Sequence, residues 1–340
     1  MASDRTSTDG ASGIKGIAKL AGVSPATVSR VINNRPGVRP ELRRAVEQVV
    51  RERGLHLDTA ARALKSRRTF RLAVITPRSG SLMFANPFFT EILRGISDVT
   101  EKAGYSIIVV TAATSQTLYD FNRNRSCDGV LFVGFRKSVP EPRSLKGAIV
   151  PVVTIPRPGP RYKLPFVTMD DETGAWEATK YLVKRGHSRI GLLNGPHNSV
   201  YSINRLAGYR KALQEAGLPF DRALVEDGDF SAESAQQAAV RLLEMSKRAT
   251  AILATSDHMA TGALYAARAL GLRVPADVAL VGFGNTPVCV ELSPALTSVD
   301  EHLRDLGTRA ASLLLRLAQG EDVADTQIIL PTNLVVRESS

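Results

Sequence analysis

Apolar side chains recur at helical spacing between residues 14 and 53, and beyond residue 71 the period changes. In the first stretch, Ile17, Leu20 and Ala21 put apolar groups on one face of a short helix. Gly22 permits a sharp turn after it, because glycine adopts a left-handed backbone without a Cβ penalty. Ser24 suits the cap of a second helix and Pro25 its first position. Val28, Val31 and Ile32 then form that helix's buried stripe, which leaves Pro25, Ala26, Thr27, Ser29 and Arg30 facing outward. Pro40 opens a third helix reaching about Arg53, with Leu42, Val46, Val49 and Val50 as its apolar stripe and Gly54 as its stop. A short second helix with small and polar residues exposed at its N-terminal end is the kind that enters a DNA major groove. The same spacing also fits an ordinary helical hairpin. Residues Asp58 to Ser66 can form one more short helix, ordered only when packed against something, since short isolated helices are unstable in water. A plain charged linker is the other reading of that segment.

From residue 71 onward, apolar runs alternate with amphipathic helices. R-L-A-V-I-T-P (71–77), G-Y-S-I-I-V-V-T (104–111), D-G-V-L-F-V-G (128–134) and V-P-V-V-T-I (150–155) read as buried strands, with a helix over 87–103. The series repeats with strands in 189–195, 223–228, 251–256 and 278–283 and helices over 204–216, 232–246 and 259–270. Continuous β-branched runs joined by helices imply parallel sheets covered on both faces. Two similar α/β lobes in succession imply a ligand cleft at the carboxyl ends of their strands. The expected organisation is a flexible tail over 1–13, a helix-turn-helix unit over 14–57, a hinge over 58–70 and a two-lobed region over 71–340.

Charge sharpens this division. The 340 residues carry a net +11, and residues 1–71 hold fifteen Lys/Arg against six Asp/Glu. The rest of the chain is nearly balanced, so the basic surplus marks a small N-terminal module as an electrostatic footprint for a polyanion. Cys127 and Cys289 form neither a ligand cluster nor a framework of bridges, which fits a reducing cytosol. The polar N-terminus lacks the apolar core of a secretory signal, and no apolar run reaches the roughly 18 residues that span a bilayer. A cytoplasmic protein without membrane contact is expected. No G-x-G-x-x-G follows a strand, and no phosphate-binding lysine loop, H-E-x-x-H or nucleophile elbow occurs. Enzyme chemistry has no anchor, and neither cofactor nor metal is expected.

With a basic helical head, a hinge and two α/β lobes in view, the chain resembles the LacI/GalR family of transcriptional repressors from about Ile14 to Arg337. The most specific match is A-G-V-S-x-x-T-V-S-R-V-I-N, from Ala21 to Asn33. N-P-F-F (86–89), D-G-V (128–130), K-R-G-H-S-R-I (184–190), R-L-A-G-Y (205–209), G-D-F-S (228–231) and V-P-x-D-V-x-L-V-G-F (274–283) continue it. The resemblance implies an α/β protein: an all-α helix-turn-helix head on a two-lobed, periplasmic-binding-protein-like core of doubly wound parallel sheets. It also implies a homodimeric regulator on a palindromic double-stranded DNA operator, governed by a small-molecule effector. On the DNA side it points to Ser24, Pro25, Ala26, Thr27, Ser29, Arg30 and Asn33, with Pro25 and Ala26 at the specificity positions. Leu64 matches a leucine that wedges into the minor groove, and Ala61 its small neighbour.

On the effector side the resemblance points to Phe88, Phe89 and Phe230 as rings against the ligand and to Arg205 as a grip on its oxygens. An ion pair between lobes is the alternative for Arg205. Ser256, Asp257 and Asn285 are further candidates, with Asp171 behind them, and Arg78 and Arg157 stand at strand ends. Three departures stand out: Leu55-His56-Leu57-Asp58 before the hinge, Ser256-Asp257 after a strand, and Gly284-Asn285 where the family often has an aspartate. The resemblance implies a sugar or sugar derivative as effector, and losing that acceptor while keeping three arginines tilts the cleft positive, toward an anionic one such as a sugar acid or sugar phosphate. His187, His258 and Trp176 read as structural. The absence of a leucine heptad tail before Ser340 favours a dimer over a tetramer.

Overall fold

The computed structural model describes residues 14–32, 36–52, 68–114, 126–134, 149–158 and 163–340. It divides into two units, Met1–Arg68 and Thr69–Ser340. The first holds α1 (Ile14–Leu20), α2 (Pro25–Ile32) and α3 (Pro40–Glu52). Ile17, Ala18, Val28, Val31 and Val46 form its core, with Ala21, Val23, Val38, Val49 and Val50 packed around them. So small an apolar set supports only a marginal unit. The inward face of α1 is rotated from the predicted one: Ala18 is buried, whereas Leu20 is 45% exposed. Leu42, also expected inside, is exposed. The expected hinge helix over Asp58–Ser66, together with Asn33, Ala61 and Leu64, lies outside the described residues.

The second unit contains two six-stranded sheets. The first lobe's sheet takes β1 (Arg71–Ile75), β2 (Ser106–Val110), β3 (Gly129–Val133), β4 (Val152–Ile155), β5 (Phe166–Met169) and β11 (Gln327–Leu330). Its strand order is β11-β5-β4-β3-β1-β2, parallel throughout. The second lobe's sheet takes β6 (Ile190–Asn194), β7 (Val225–Asp227), β8 (Ala251–Ala254), β9 (Ala279–Gly284), β10 (Thr297–Asp300) and β12 (Asn333–Val335). Its order is β12-β10-β9-β8-β6-β7, and β12 alone among these strands runs antiparallel, against β10.

Among the described residues, eight α-helices cover the sheets: α4 (Gly80–Ala85), α5 (Pro87–Ala103), α6 (Asp171–Lys184), α7 (Val200–Glu215), α8 (Ala232–Leu243), α9 (Asp257–Ala269), α10 (Val288–Glu291) and α11 (Leu303–Ala318). The lobes do not simply follow one another, as the sequence suggested. After β10 the chain returns to the first lobe, where α11 packs on α5 and β11 extends the sheet beside β5. Three crossings, near residues 170, 301 and 331, therefore join the lobes. Periodicity cannot reveal this, because a strand's pattern does not say which sheet it enters. The helix 204–216 also begins earlier than predicted, at Val200, after Ser199.

Glycine sets the closest helix crossings. A Cβ on Gly95 of α5 would lie 2.0 Å from the Arg304 carbonyl oxygen, and one on Gly208 of α7 the same distance from that of Glu172. Where the second unit begins, the Asp128 carboxylate accepts from Thr69 N (2.6 Å), Thr69 Oγ1 (2.8 Å) and Phe70 N (2.9 Å). These bonds hold Phe70 at φ 55°, a left-handed conformation that a bulky residue rarely takes.

Candidate functional site

In the head, Gly22 (φ 64°) makes the turn and Ser24 caps α2, its Oγ accepting from Thr27 N at 3.1 Å. The Ser24 and Thr27 hydroxyls are themselves 2.9 Å apart. With Val28 and Val31 turned into the core, Ser24, Pro25, Ala26 and Arg30 are exposed, and Thr27 and Ser29 half-buried. Capping thus fixes the N-terminal turn of α2 while small side chains keep its outer surface low. That shape lets a backbone approach base edges closely.

In the second unit, one cavity of about 490 Å³ gathers seven of the nine predicted effector residues: Arg78, Phe88, Phe89, Arg205, Phe230, Ser256 and Asp257. Arg78 follows β1, and Asn86 caps α5 by accepting from Phe88 N at 3.0 Å, which sets both phenylalanines at the cavity's edge. Phe88 meets Phe89 and Tyr201 edge-to-face at 5.3 and 5.5 Å between ring centroids. The Arg78 guanidinium lies 5.1 Å from the Phe230 ring centre, across the lobes. Gly195 leaves room for that ring, since a Cβ there would sit 2.0 Å from Phe230 Cζ.

The floor is ionic. Arg205 is 3% exposed and donates through Nε to Asp171 Oδ1 (2.7 Å), through Nη1 to the Thr255 carbonyl (2.5 Å) and through Nη2 to Glu301 Oε1 (2.6 Å). Its plane also lies 3.9 Å from the Phe283 ring centre. One cation cannot neutralise two buried carboxylates. Burial above all, and then the neighbouring charges of Asp171, Asp257 and Asp300, push Glu301 up to about 8. Burial likewise raises Asp171. Burial works against the charge on Arg205, but Glu301 and Asp171 outweigh it and keep the guanidinium protonated. Among the described residues, Asp171 Oδ2, Tyr201 Oη and Thr255 Oγ1 are buried without a hydrogen-bond partner.

Two predicted residues stand elsewhere. Arg157 is exposed, its guanidinium 5.5 Å from the Phe166 ring centre, and does not line the cavity. Asn285 turns away (φ 48°), giving Nδ2 to Asp300 Oδ2 at 3.0 Å and accepting from Arg337 Nη2 at 2.6 Å. Asp257 reaches the cavity, but Thr286 N, Thr286 Oγ1 and Ser298 Oγ all donate to its carboxylate, at 2.8, 2.9 and 2.5 Å. Ser256 caps α9 by accepting from Met259 N.

The cleft holds fewer arginines than the sequence suggested, and carboxylates engage Arg205 there. Arg78 and Arg205 face Asp257 and Glu301 in the cavity, with Asp171 directly behind, and Arg157 is absent from it. Among the groups that engage Arg205 is Glu301, which sequence reasoning missed along with Tyr201, Phe283 and Thr286. Glu301 lies in a crossing between lobes, where no periodic pattern aims a side chain. A Cβ at position 284 would stand 3.1 Å from Asp257 Oδ2 and 3.6 Å from Glu301 Oε2. Carboxylates from two other elements thus occupy the surroundings of the aspartate that position 284 lacks. His258, read as structural, also lines the cavity, and burial holds it below the usual histidine range.

A basic head of three helices and a two-lobed domain with a ring-walled cleft define a ligand-responsive DNA-binding regulator. Residues 13–56 match the model for bacterial regulatory proteins of the lacI family, and residues 179–340 that for a periplasmic binding protein-like domain. The chain is 36% identical over 328 residues to the HTH-type transcriptional regulator CelR of Thermobifida fusca, covering 95% of this chain and 96% of CelR. A solved CelR–cellobiose complex superposes with a TM-score of 0.74 at 33% identity, over 96% of this chain and 99% of that one. The lac repressor dimer bound to operator and the anti-inducer ONPF gives 0.79 at 27% identity, over 96% and 98%. The chain belongs to the LacI family: it is a DNA-binding transcriptional regulator, not an enzyme. No described helix is long and apolar enough to cross a membrane.

Proposed function

We propose that this protein is a repressor that binds a palindromic operator as a homodimer and responds to an uncharged, hydroxyl-rich ligand, a sugar, in the cleft of its second unit. The observation carrying the ligand class is the engagement of Arg205 by Asp171 and Glu301, which occupies the guanidinium that would otherwise grip an anion. Phe88, Phe89 and Phe230 offer apolar faces to a sugar ring, and Tyr201 Oη and Glu301 Oε2 suit its hydroxyls. The cellobiose in the CelR complex supports the same class.

On the DNA side, the exposed edge of α2 supports base reading by Pro25, Ala26 and Arg30. Asn33 as a DNA contact and Leu64 wedged beside Ala61 in the minor groove belong to the same reading. A ligand that prefers one relation of the lobes would shift operator affinity by its differential affinity for the two states, typically about 1–3 kcal/mol. The test is operator binding by the full-length chain, followed by fluorescence anisotropy with neutral mono- and disaccharides and with their acid and phosphate derivatives. A neutral sugar should change operator affinity about 5- to 150-fold. A response confined to the anionic derivatives would overturn the ligand class, and a bend angle unchanged by Leu64→Ala would overturn the wedge.

A further inference from the structure

A second cavity, of about 470 Å³, lies in the second lobe between α7, the end of β6 and β7, and shares no lining residue with the cleft. Residues 190, 192 and 194 of β6 alternate onto one face of the sheet, and Ile190 and Leu192 pack there in the cluster that holds Tyr209 and Leu213 of α7. At the third position stands Asn194, a polar side chain only 2% exposed. Its Oδ1 has no hydrogen-bond partner, and neither has the Oγ of Ser202 on α7, which is fully buried beside it in the same cavity. Leaving such a group unsatisfied costs about 1–3 kcal/mol, and two of them line one void.

The rim differs from the floor. Arg210 and Arg222 stand there exposed, with His197, against the single carboxylate of Asp227. Arg222 is held by the Val225 carbonyl and by Asp227 at 3.2 Å, while Arg210 lies 4.1 Å over the Phe220 ring centre. The cavity therefore pairs a neutral floor that wants O–H or N–H donors with a cationic mouth.

We infer that this cavity is a second ligand site, separate from the cleft, for a small phosphorylated metabolite whose hydroxyl or N–H end reaches Asn194 and Ser202 while its phosphate meets Arg210 at the rim. Oxygen acceptors on a phosphate match a guanidinium better than an ammonium, because the donors lie in one plane. A nucleotide base and a sugar both supply suitable donors, and the experiment separates them.

The full-length chain is titrated calorimetrically with adenosine 5′-monophosphate, ribose 5-phosphate and inorganic phosphate. Saturable binding of one or both organic phosphates, at one per chain, is expected: a response to the nucleotide alone assigns the inner end to the base, and one to ribose 5-phosphate to its hydroxyls. Arg210→Ala should weaken it at least tenfold and Ser202→Ala severalfold, and Phe88→Ala in the cleft should leave it unchanged. Arg210 is exposed, so its replacement does not threaten the fold. Binding to neither compound, binding lost in Phe88→Ala but kept in Arg210→Ala, or inorganic phosphate binding as tightly as both organic phosphates would overturn the assignment.

Discussion

Arg30 on the head and Arg205 in the cleft look alike in sequence, each a single arginine between a polar and an apolar neighbour and each expected to grip a partner. The fold places them in opposite surroundings. Arg30 is exposed on the outer edge of α2, where its guanidinium is open to a partner from outside. Arg205 is buried, and three oxygens from three different segments already hold it. An exposed guanidinium serves recognition of an outside partner. A buried, saturated one organises the groups around it, and here it fixes Asp171 and Glu301, which sit in two of the three crossings between lobes.

The largest effect that would separate the two is on stability. Arg205→Ala leaves two carboxylates buried without their cation and should destabilise the second unit by about 3–5 kcal/mol in urea unfolding. The same unfolding should be unaltered by Arg30→Ala. An Arg205→Ala chain as stable as the parent would break the comparison at its root. Next in size, Arg30→Ala should cost about 1–3 kcal/mol of discrimination between operator and unrelated duplex, with a salt-dependent nonspecific component surviving. Uniform weakening on every sequence would assign Arg30 to phosphate alone.

Protonation sharpens the contrast further. Glu301 sits at about 8 in the folded chain against 4.5 ordinarily, so the folded state holds an extra proton between those values. The unfolded chain binds fewer protons in that window, and stability should fall as pH rises from about 4.5 to about 8. Glu301→Gln should flatten the decline in Tm over that range, and an unchanged slope would mean another group carries it. Smallest, Ser24→Ala removes the α2 cap and should cost the head about 1 kcal/mol, read by thermal unfolding. Operator affinity should drop with it, because the capped turn carries Pro25 and Ala26.

Much of this was legible in the residues themselves. The helix-turn-helix was readable because its signals are local: a glycine turn, a serine cap, a proline at the first position and valines at helical spacing. The alternation of apolar strands and amphipathic helices likewise announced parallel sheets, since burial on both faces demands continuous β-branched runs. Seven cleft residues were reachable, Arg78 from its place at a strand end and the other six through the resemblance to the LacI family. Tertiary structure alone decided the rest. That α11 and β11 return to the first lobe depends on which sheet edge is open, and no segment's own pattern encodes it. The surroundings of Arg205 escaped the sequence for the same reason. Charge in a site is a sum over residues far apart in the chain, and Arg205, Asp171 and Glu301 meet only after three crossings have folded the lobes together.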